Sequence, residues 1–281
     1  MCPNAGSSDD QTDLWSSIYG DPIADRLNAQ APGANLTGED ITNLIQLCAL
    51  ETVSIGTLSP FCAIFTQAEF AQFEYWADLD KYYGTGYAFS FLSRFLSRST
   101  NLPFSGLRNR YGQALGPVQG VGYINELLAR LTGSPVKDNT QTNRTLDASP
   151  ITFPLNHTLY ADFTHDNEMI AIYAAMGLFK QPVPLDPTKP DPERTWFTSH
   201  LTPFSGRMVT ERLSCHIIPT SRTAHREEAS VVYVRILVDD ALQPLEFCGA
   251  NTDGMCELDA FVESQAYARN DGEGDFEKCY A

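Results

Sequence analysis

His165, Asp166 and Asn167 stand in the stretch FTHDNEM, where a strand-like run, TLYADF (158–163), meets a helical run, EMIAIYAAMGLF (168–179). The start of a helix leaves its first backbone N–H groups without partners inside the helix. Those groups, together with the helix dipole, make a place for an anion. A histidine there adds a donor, and a positive charge below its reference pKa of about 6.5. An aspartate fits poorly beside a bound anion unless it arrives protonated and gives that proton to a leaving oxygen. Next to an anion its carboxyl is expected to titrate above the usual range, which suits chemistry at acid pH. The plainer reading is that Asp166 or Asn167 only caps the helix and His165 ends the strand. Spacing alone favours the plainer reading.

The elements around this junction follow from periodicity. Residues 9–30, 38–56 and 67–82 have helical spacing. Gly20 and Pro22 predict a break of the first run into two pieces. Thr37 offers an N-cap to the second run, and Gly84 a C-terminal stop to the third. Lys81, near the end of that third run, reads by itself as a solvated cation facing the negative end of a helix dipole. Residues 118–133 are amphipathic and end at Gly133, and 133–157 and 182–195 read as loops. Strands are expected at 206–215, 231–239 and 243–248, the first two forming a hairpin, and a helix at 257–269. Two stretches look foreign to their surroundings: 88–111, basic and rich in Ser and Phe, and 216–230, between the hairpin strands. Each reads as a basic arm or insertion, or as a lineage-specific loop or translated non-coding sequence; the latter is preferred.

A formal charge of −16 argues against nucleic acid and anionic membranes as partners at neutral pH. There is no apolar run long enough to cross a bilayer, and MCPNAGSSDDQTD lacks the basic and apolar regions of a signal peptide. Seven cysteines occur without a Cys-x-x-Cys, which weakens a zinc reading. The sequons at Asn35, Asn143 and Asn156 accompany clustered cysteines, and together they suggest an oxidising, secretory compartment.

The segments CPNAGSSD (2–9), ADRLNAQAPGANLT (24–37), YYGTGY (82–87), LGPVQGVGYINELLARLTGSPV (115–136), NRTLDASPITFPLNHTLYADFTHDN (143–167), LQPLEFC (242–248) and 261–281 resemble fungal phytases (3-phytase type) of the histidine acid phosphatase family. The resemblance runs through most of the chain. It implies an α/β plus α architecture, a partial histidine-acid-phosphatase-like (phosphoglycerate-mutase-like) fold. Residues 1–135 would be mostly α-helical domain, interrupted by 88–111. Residues 136–281 would be the C-terminal part of the α/β domain, interrupted by 216–230. The implied activity is acid hydrolysis of phosphate monoesters, notably myo-inositol hexakisphosphate (phytate), through a phosphohistidine and with no cofactor or metal. Secretion as a glycoprotein, with glycans at Asn35, Asn143 and Asn156, is implied as well.

By the same resemblance His165 helps hold the phosphate, Asp166 protonates the leaving alcohol, and Asn167 and Lys81 contact substrate. Asp80 stands where some relatives carry a second lysine, which implies weaker affinity for phytate. The family pairs Cys2 with Cys279, Cys48 with Cys62 and Cys248 with Cys256, and leaves Cys215 for a partner missing from this chain. The family's Arg-His-Gly-x-Arg-x-Pro motif, which supplies the nucleophilic histidine, does not occur: His157, His165, His200, His216 and His225 all lie in other contexts. The resemblance therefore places this chain as a C-terminal part without the leading half, supplying half of an active site. The alternatives are a non-catalytic secreted remnant that binds inositol phosphate, and a truncated gene model.

Overall fold

The computed structural model describes residues 2–86, 112–216 and 230–281. The stretch 88–111 lies outside the described residues, as does the body of 216–230. The chain forms two compact units: Ala5–Ala114 with Lys180–Ser199, and the residues up to Asn4 with Leu115–Phe179 and His200–Ala281. The architecture is α/β plus α, with one small sheet among helices.

The first unit is built on helices α1 (Asp9–Gln30), α2 (Gly38–Ile55) and α3 (Gln67–Asp80). Trp15, Tyr19, Ile23 and Leu27 recur every four residues along α1, and all are buried. They meet Ile41 and Ile45 of α2 and Tyr75 and Leu79 of α3, which are buried too. The Trp15 indole stands edge-on to Tyr75 at 5.1 Å and donates to the Gln72 carbonyl at 2.9 Å. Thr37 and Thr66 close capping boxes with Asp40 and Glu69.

The expected break in α1 does not occur: the helix is continuous with Pro22 inside it. Proline removes one hydrogen bond, to the carbonyl four residues back. That residue is Ile18, on the solvent side of the helix and 40% exposed. The buried row on either side holds the helix together. Gly20 serves packing rather than breaking: a Cβ there would lie 2.8 Å from the Gly38 carbonyl oxygen, so α1 and α2 touch backbone to backbone.

Gly84 is likewise not the stop of α3. That helix ends at Asp80 and passes into a π-helical turn, Lys81–Gly86. The wider turn places Tyr82 and Tyr83 in the core, where the Tyr83 hydroxyl donates to the Leu185 carbonyl at 2.6 Å. Tyr75 binds the Asp186 carbonyl in the same way at 2.7 Å. The proline-rich loop thus packs back on α3. Its lock is Asp78, 0% exposed, which accepts from Arg194 Nε at 2.9 Å and from the Thr198 N–H. The Arg194 guanidinium also lies over the rings of Tyr75 and Phe197.

In the second unit, strand β1 (Met208–His216) pairs antiparallel with β2 (Ser230–Val238), with Met208 opposite Val238 and Cys215 opposite Val231. This is the expected hairpin. Two-residue strands β3 (Ala241–Leu242) and β4 (Cys256–Glu257) also pair with β2. The strand expected at 243–248 is a 3₁₀ turn at Glu246–Cys248 instead. Pro244 cannot donate to a ladder, and Gly249 closes the turn with φ 71°. Val234, Ile236 and Val238 point from β2 into the core. Helix α4 (Val121–Thr132) packs against helix α5 (Asp166–Met176), and helix α6 (Leu258–Ser264) packs against β2. Disulfides join Cys2 to Cys279, Cys48 to Cys62 and Cys248 to Cys256, and Cys215 is a free thiol on β1.

Burial pushes the Asp78 carboxyl up to about 6, against the pull of its Thr198 and Arg194 donors. A carboxyl raised on folding takes up a proton as the chain folds. The stability it adds is full below the unfolded value of 3.8 and is lost as pH rises through about 6. Asp78→Asn should remove that part of the pH dependence, so melting temperature should respond less to pH between 3.8 and about 6. Thermal melts of both proteins across that window check it; parallel curves would contradict the assignment.

Candidate functional site

Helix α5 fixes where the His165–Asp166 pair stands. Its residues Ile170–Met176 are all buried. Gly177 ends it in the left-handed region at φ 92°, where a side chain would be strained. Two side chains tie its far end: Tyr173 Oη donates to the Leu201 carbonyl at 3.2 Å, and Gln265 Nε2 to the Met176 carbonyl at 3.3 Å. Its flank is set by the 3₁₀ turn Pro117–Gly120. A Cβ on Gly120 would lie 2.5 Å from the Ala171 carbonyl oxygen and 2.8 Å from Ile172 Cα. Turn and helix therefore meet with no side chain between them.

The other end of α5 is open. His165 is its N-cap residue, with extended φ −118° and ψ 165°, and its side chain makes no capping bond. Asp166 and Asn167 are the first two helical residues, and Asp166 Oδ1 accepts from the Asn167 N–H at 2.9 Å. All three are exposed. His165 rather than Asp166 or Asn167 takes the N-cap position, while the Asp166 carboxylate accepts one first-turn N–H. One rigid helix thus brings an imidazole, a carboxyl and an amide to its positive end. The arrangement can receive an anion and offer it a proton.

The run before them is not a strand. Residues 158–164 pair with no other strand among the described residues. A strand exists through its partner's hydrogen bonds, and the alternation of TLYADF cannot supply a partner. What positions the run is Arg130 of α4. Its guanidinium lies 5.2 Å from the Tyr160 ring centre and donates to Asp162 Oδ1 at 3.1 Å.

Lys81 belongs to the other unit, on the π-helical turn. Its side chain is 15% exposed, and Nζ lies 3.7 Å from Asp80 Oδ2. Asp80 also accepts from Ser8 Oγ at 2.8 Å. Lys81 is therefore not the fully solvated cation its position alone suggested. The sequon residues Asn35, Asn143 and Asn156 are all exposed.

Sequence reasoning missed a polar cavity of about 360 Å³ between α4 and α5, lined by Tyr123, Glu126, Gln141 and Glu168 among others. Burial pushes Glu126 up to about 7, with Asp147 adding to the shift, and burial raises Glu168 too. Nothing in a linear reading marks Glu126, because its neighbours come from three separate segments. A second cavity of about 440 Å³ carries Lys137, Arg144 and Arg269 on its wall. Neither of these two cavities includes His165, Asp166 or Asn167.

Residues 2–239 match the family model of the histidine phosphatase superfamily (branch 2). Phytase A of Arthroderma benhamiae is 39% identical over 279 residues, covering 97% of this chain and 54% of that protein. Phytase A of Aspergillus terreus is 40% identical, covering 97% of this chain and 52% of the relative. The crystal structure of the phytase from D. castellii is similar in fold, with a TM-score of 0.65 at 23% identity, covering 95% of this chain and 46% of that one. The chain thus spans about half the length of the curated relatives it matches.

Gly120→Ala should drive a methyl group into the backbone of α5 and cost about 1–3 kcal/mol. Urea unfolding of the two proteins measures it. An unchanged midpoint would mean that the turn does not set the position of the helix.

Proposed function

This chain belongs to the histidine phosphatase superfamily (branch 2), and from that premise we propose that it is part of an acid phosphomonoesterase of phytase type. Its substrate is a phosphate monoester, myo-inositol hexakisphosphate foremost. His165 holds the transferred phosphoryl group together with the N–H groups that open α5. Asp166, protonated at acid pH, gives its proton to the leaving alcohol oxygen, and Asn167 and Lys81 contact the substrate. The nucleophilic histidine, which carries the phosphoryl group before water releases it, is supplied by the Arg-His-Gly motif of the leading half. None of the five histidines here lies in that motif. Cys215 pairs with a cysteine of the same leading half. The protein is secreted and glycosylated at Asn35, Asn143 and Asn156.

One observation carries this reading. His165 and Asp166 stand exposed at the N-cap and first position of a helix that is buried from Ile170 onward. A buried, doubly tied helix is a firm mount, and such a mount is what acid–base chemistry at a defined position needs.

Phosphate release tests the proposal. The purified chain alone should release no phosphate from phytate at about pH 5, on the acid side of histidine's reference pKa. The chain joined to the leading half of Aspergillus terreus phytase A should turn over. In that joined protein Asp166→Asn should lower kcat by about 100-fold or more, the usual scale for a lost general acid. Turnover by the chain alone, or full activity of the Asp166→Asn protein, would overturn it.

A further inference from the structure

Arg26, Arg194 and Lys278 each face a carboxylate, at 2.8, 2.9 and 2.7 Å. Lys137, Arg144 and Arg269 do not. All three line one cavity of about 440 Å³ inside a single compact unit. None of them makes a salt bridge among the described residues. Arg144 Nη2 donates to Asn139 Oδ1 at 2.7 Å and Arg269 Nη1 to the Val262 carbonyl at 3.3 Å, both neutral acceptors. No hydrogen bond engages the Lys137 ammonium among the described residues. Three carboxylates share the wall without meeting these cations. Asp138 accepts from Asn125 Nδ2 and Thr140 Oγ1, both at 2.8 Å, and from the Thr140 and Thr142 N–H groups. Asp271 accepts from the Asn139 backbone N–H at 2.9 Å and from its side-chain amide at 2.6 Å. Asp147 is left over: its Oδ2 is buried and has no hydrogen-bond partner among the described residues.

We propose that this cavity is a second anion site, which takes a phosphate group that carries or adjoins a hydroxyl. The phosphate oxygens meet Lys137, Arg144 and Arg269, and the hydroxyl donates to Asp147 Oδ2. Cations held only by neutral acceptors keep their charge for an incoming anion, and such charge-assisted bonds are the strong ones. A buried oxygen without a donor costs free energy until a donor arrives. The volume lies in the range of small-molecule sites, about 300–1,000 Å³. A chain of formal charge −16 has no general pull on anions, so the attraction is local to this wall. Below its second pKa, about 6, a phosphate group keeps a P–O–H, whereas sulfate has none. The demand for a hydroxyl therefore separates phosphate from sulfate. Inorganic phosphate and the phosphate ester of a polyol both meet it. The proposal stands apart from the catalytic reading, because His165, Asp166, Asn167 and Lys81 do not line the cavity. Asn143, the sequon residue beside Arg144, does not line it either, so a glycan there departs from outside the wall.

Calorimetric titration of the purified chain at about pH 5, below that second pKa, tests it with inorganic phosphate, glycerol 2-phosphate and sulfate. Phosphate or its ester should saturate one site per chain, and the tighter of the two identifies the source. Sulfate should bind about 10-fold more weakly or worse, the scale of one lost charge-assisted hydrogen bond. Asp147→Asn, which replaces an acceptor oxygen by an amide donor, should narrow that gap. Arg144→Ala with Arg269→Ala should weaken phosphate binding about 10-fold or more. Lys137, Arg144 and Arg269 are all exposed, so circular dichroism should show these variants folded, and Lys137→Ala provides a third, single change. Lys180→Ala with Lys189→Ala removes the same charge from exposed positions outside the cavity and should leave binding unchanged. His165→Ala should leave it unchanged too, so a failure of the catalytic reading is not mistaken for a failure of this one. Absence of saturation would overturn the proposal, as would binding that survives loss of Arg144 and Arg269. Binding lost equally in the Lys180 and Lys189 control would reduce it to bulk charge, and binding lost with His165 would assign it to the other site; either result overturns it. Sulfate as tight as phosphate would overturn the role of Asp147.

Discussion

The contact at Gly120 is the constraint on which the His165–Asp166 site depends. Without a side chain, the turn Pro117–Gly120 comes within van der Waals reach of the backbone of α5 at Ala171 and Ile172. That closeness buries the helix from Ile170 to Met176. A helix buried along its length cannot slide or roll without losing apolar contact all round. Its free end is then a fixed point in space, even though every residue there is in water. The Tyr173 and Gln265 bonds at the far end oppose movement along the axis. An exposed site can be a rigid one when its mount is buried.

Buried carboxyls couple the same fold to pH. Asp78 and Glu126 are raised to about 6 and about 7, both chiefly by burial. Each takes up a proton on folding, so each favours the folded state as pH falls into the acid range. Asp138 and Asp40 oppose them. Burial alone would raise Asp138, but the donors Asn125, Thr140 and Thr142 hold it below the usual range; Asp40 is held low by Thr37. A chain with a formal charge of −16 also sheds self-repulsion as its carboxylates protonate.

Local signals carried much of this fold. Thr37 before a helical run, Gly133 after one, and the alternation of 231–239 each encode their element with no help from elsewhere. The strand expected at 243–248 fails locally, at Pro244 and Gly249, whereas the other failures turn on distant parts of the chain. Gly20 and Pro22 look like a break until Gly38 and the buried row of α1 are in place. Gly84 looks like a stop until Tyr82 and Tyr83 find the proline-rich loop. TLYADF alternates correctly and still forms no strand, because no strand among the described residues pairs with it. At the site, the strand-to-helix spacing marked His165 and Asp166 as candidates, and only the family likeness raised them above a cap. Glu126 was invisible, since its cavity is assembled from segments far apart in the chain.

The central claim is that this chain carries the phosphate-holding and proton-donating half of the reaction and not the nucleophile. Trapping the phosphorylated enzyme tests it most directly. The chain joined to the leading half of a phytase is mixed with substrate, quenched under conditions that preserve phosphohistidine, and mapped by peptide mass spectrometry. The account predicts a phosphohistidine in the leading half and none at His157, His165, His200, His216 or His225. A phosphoryl group found on any of those five would contradict it.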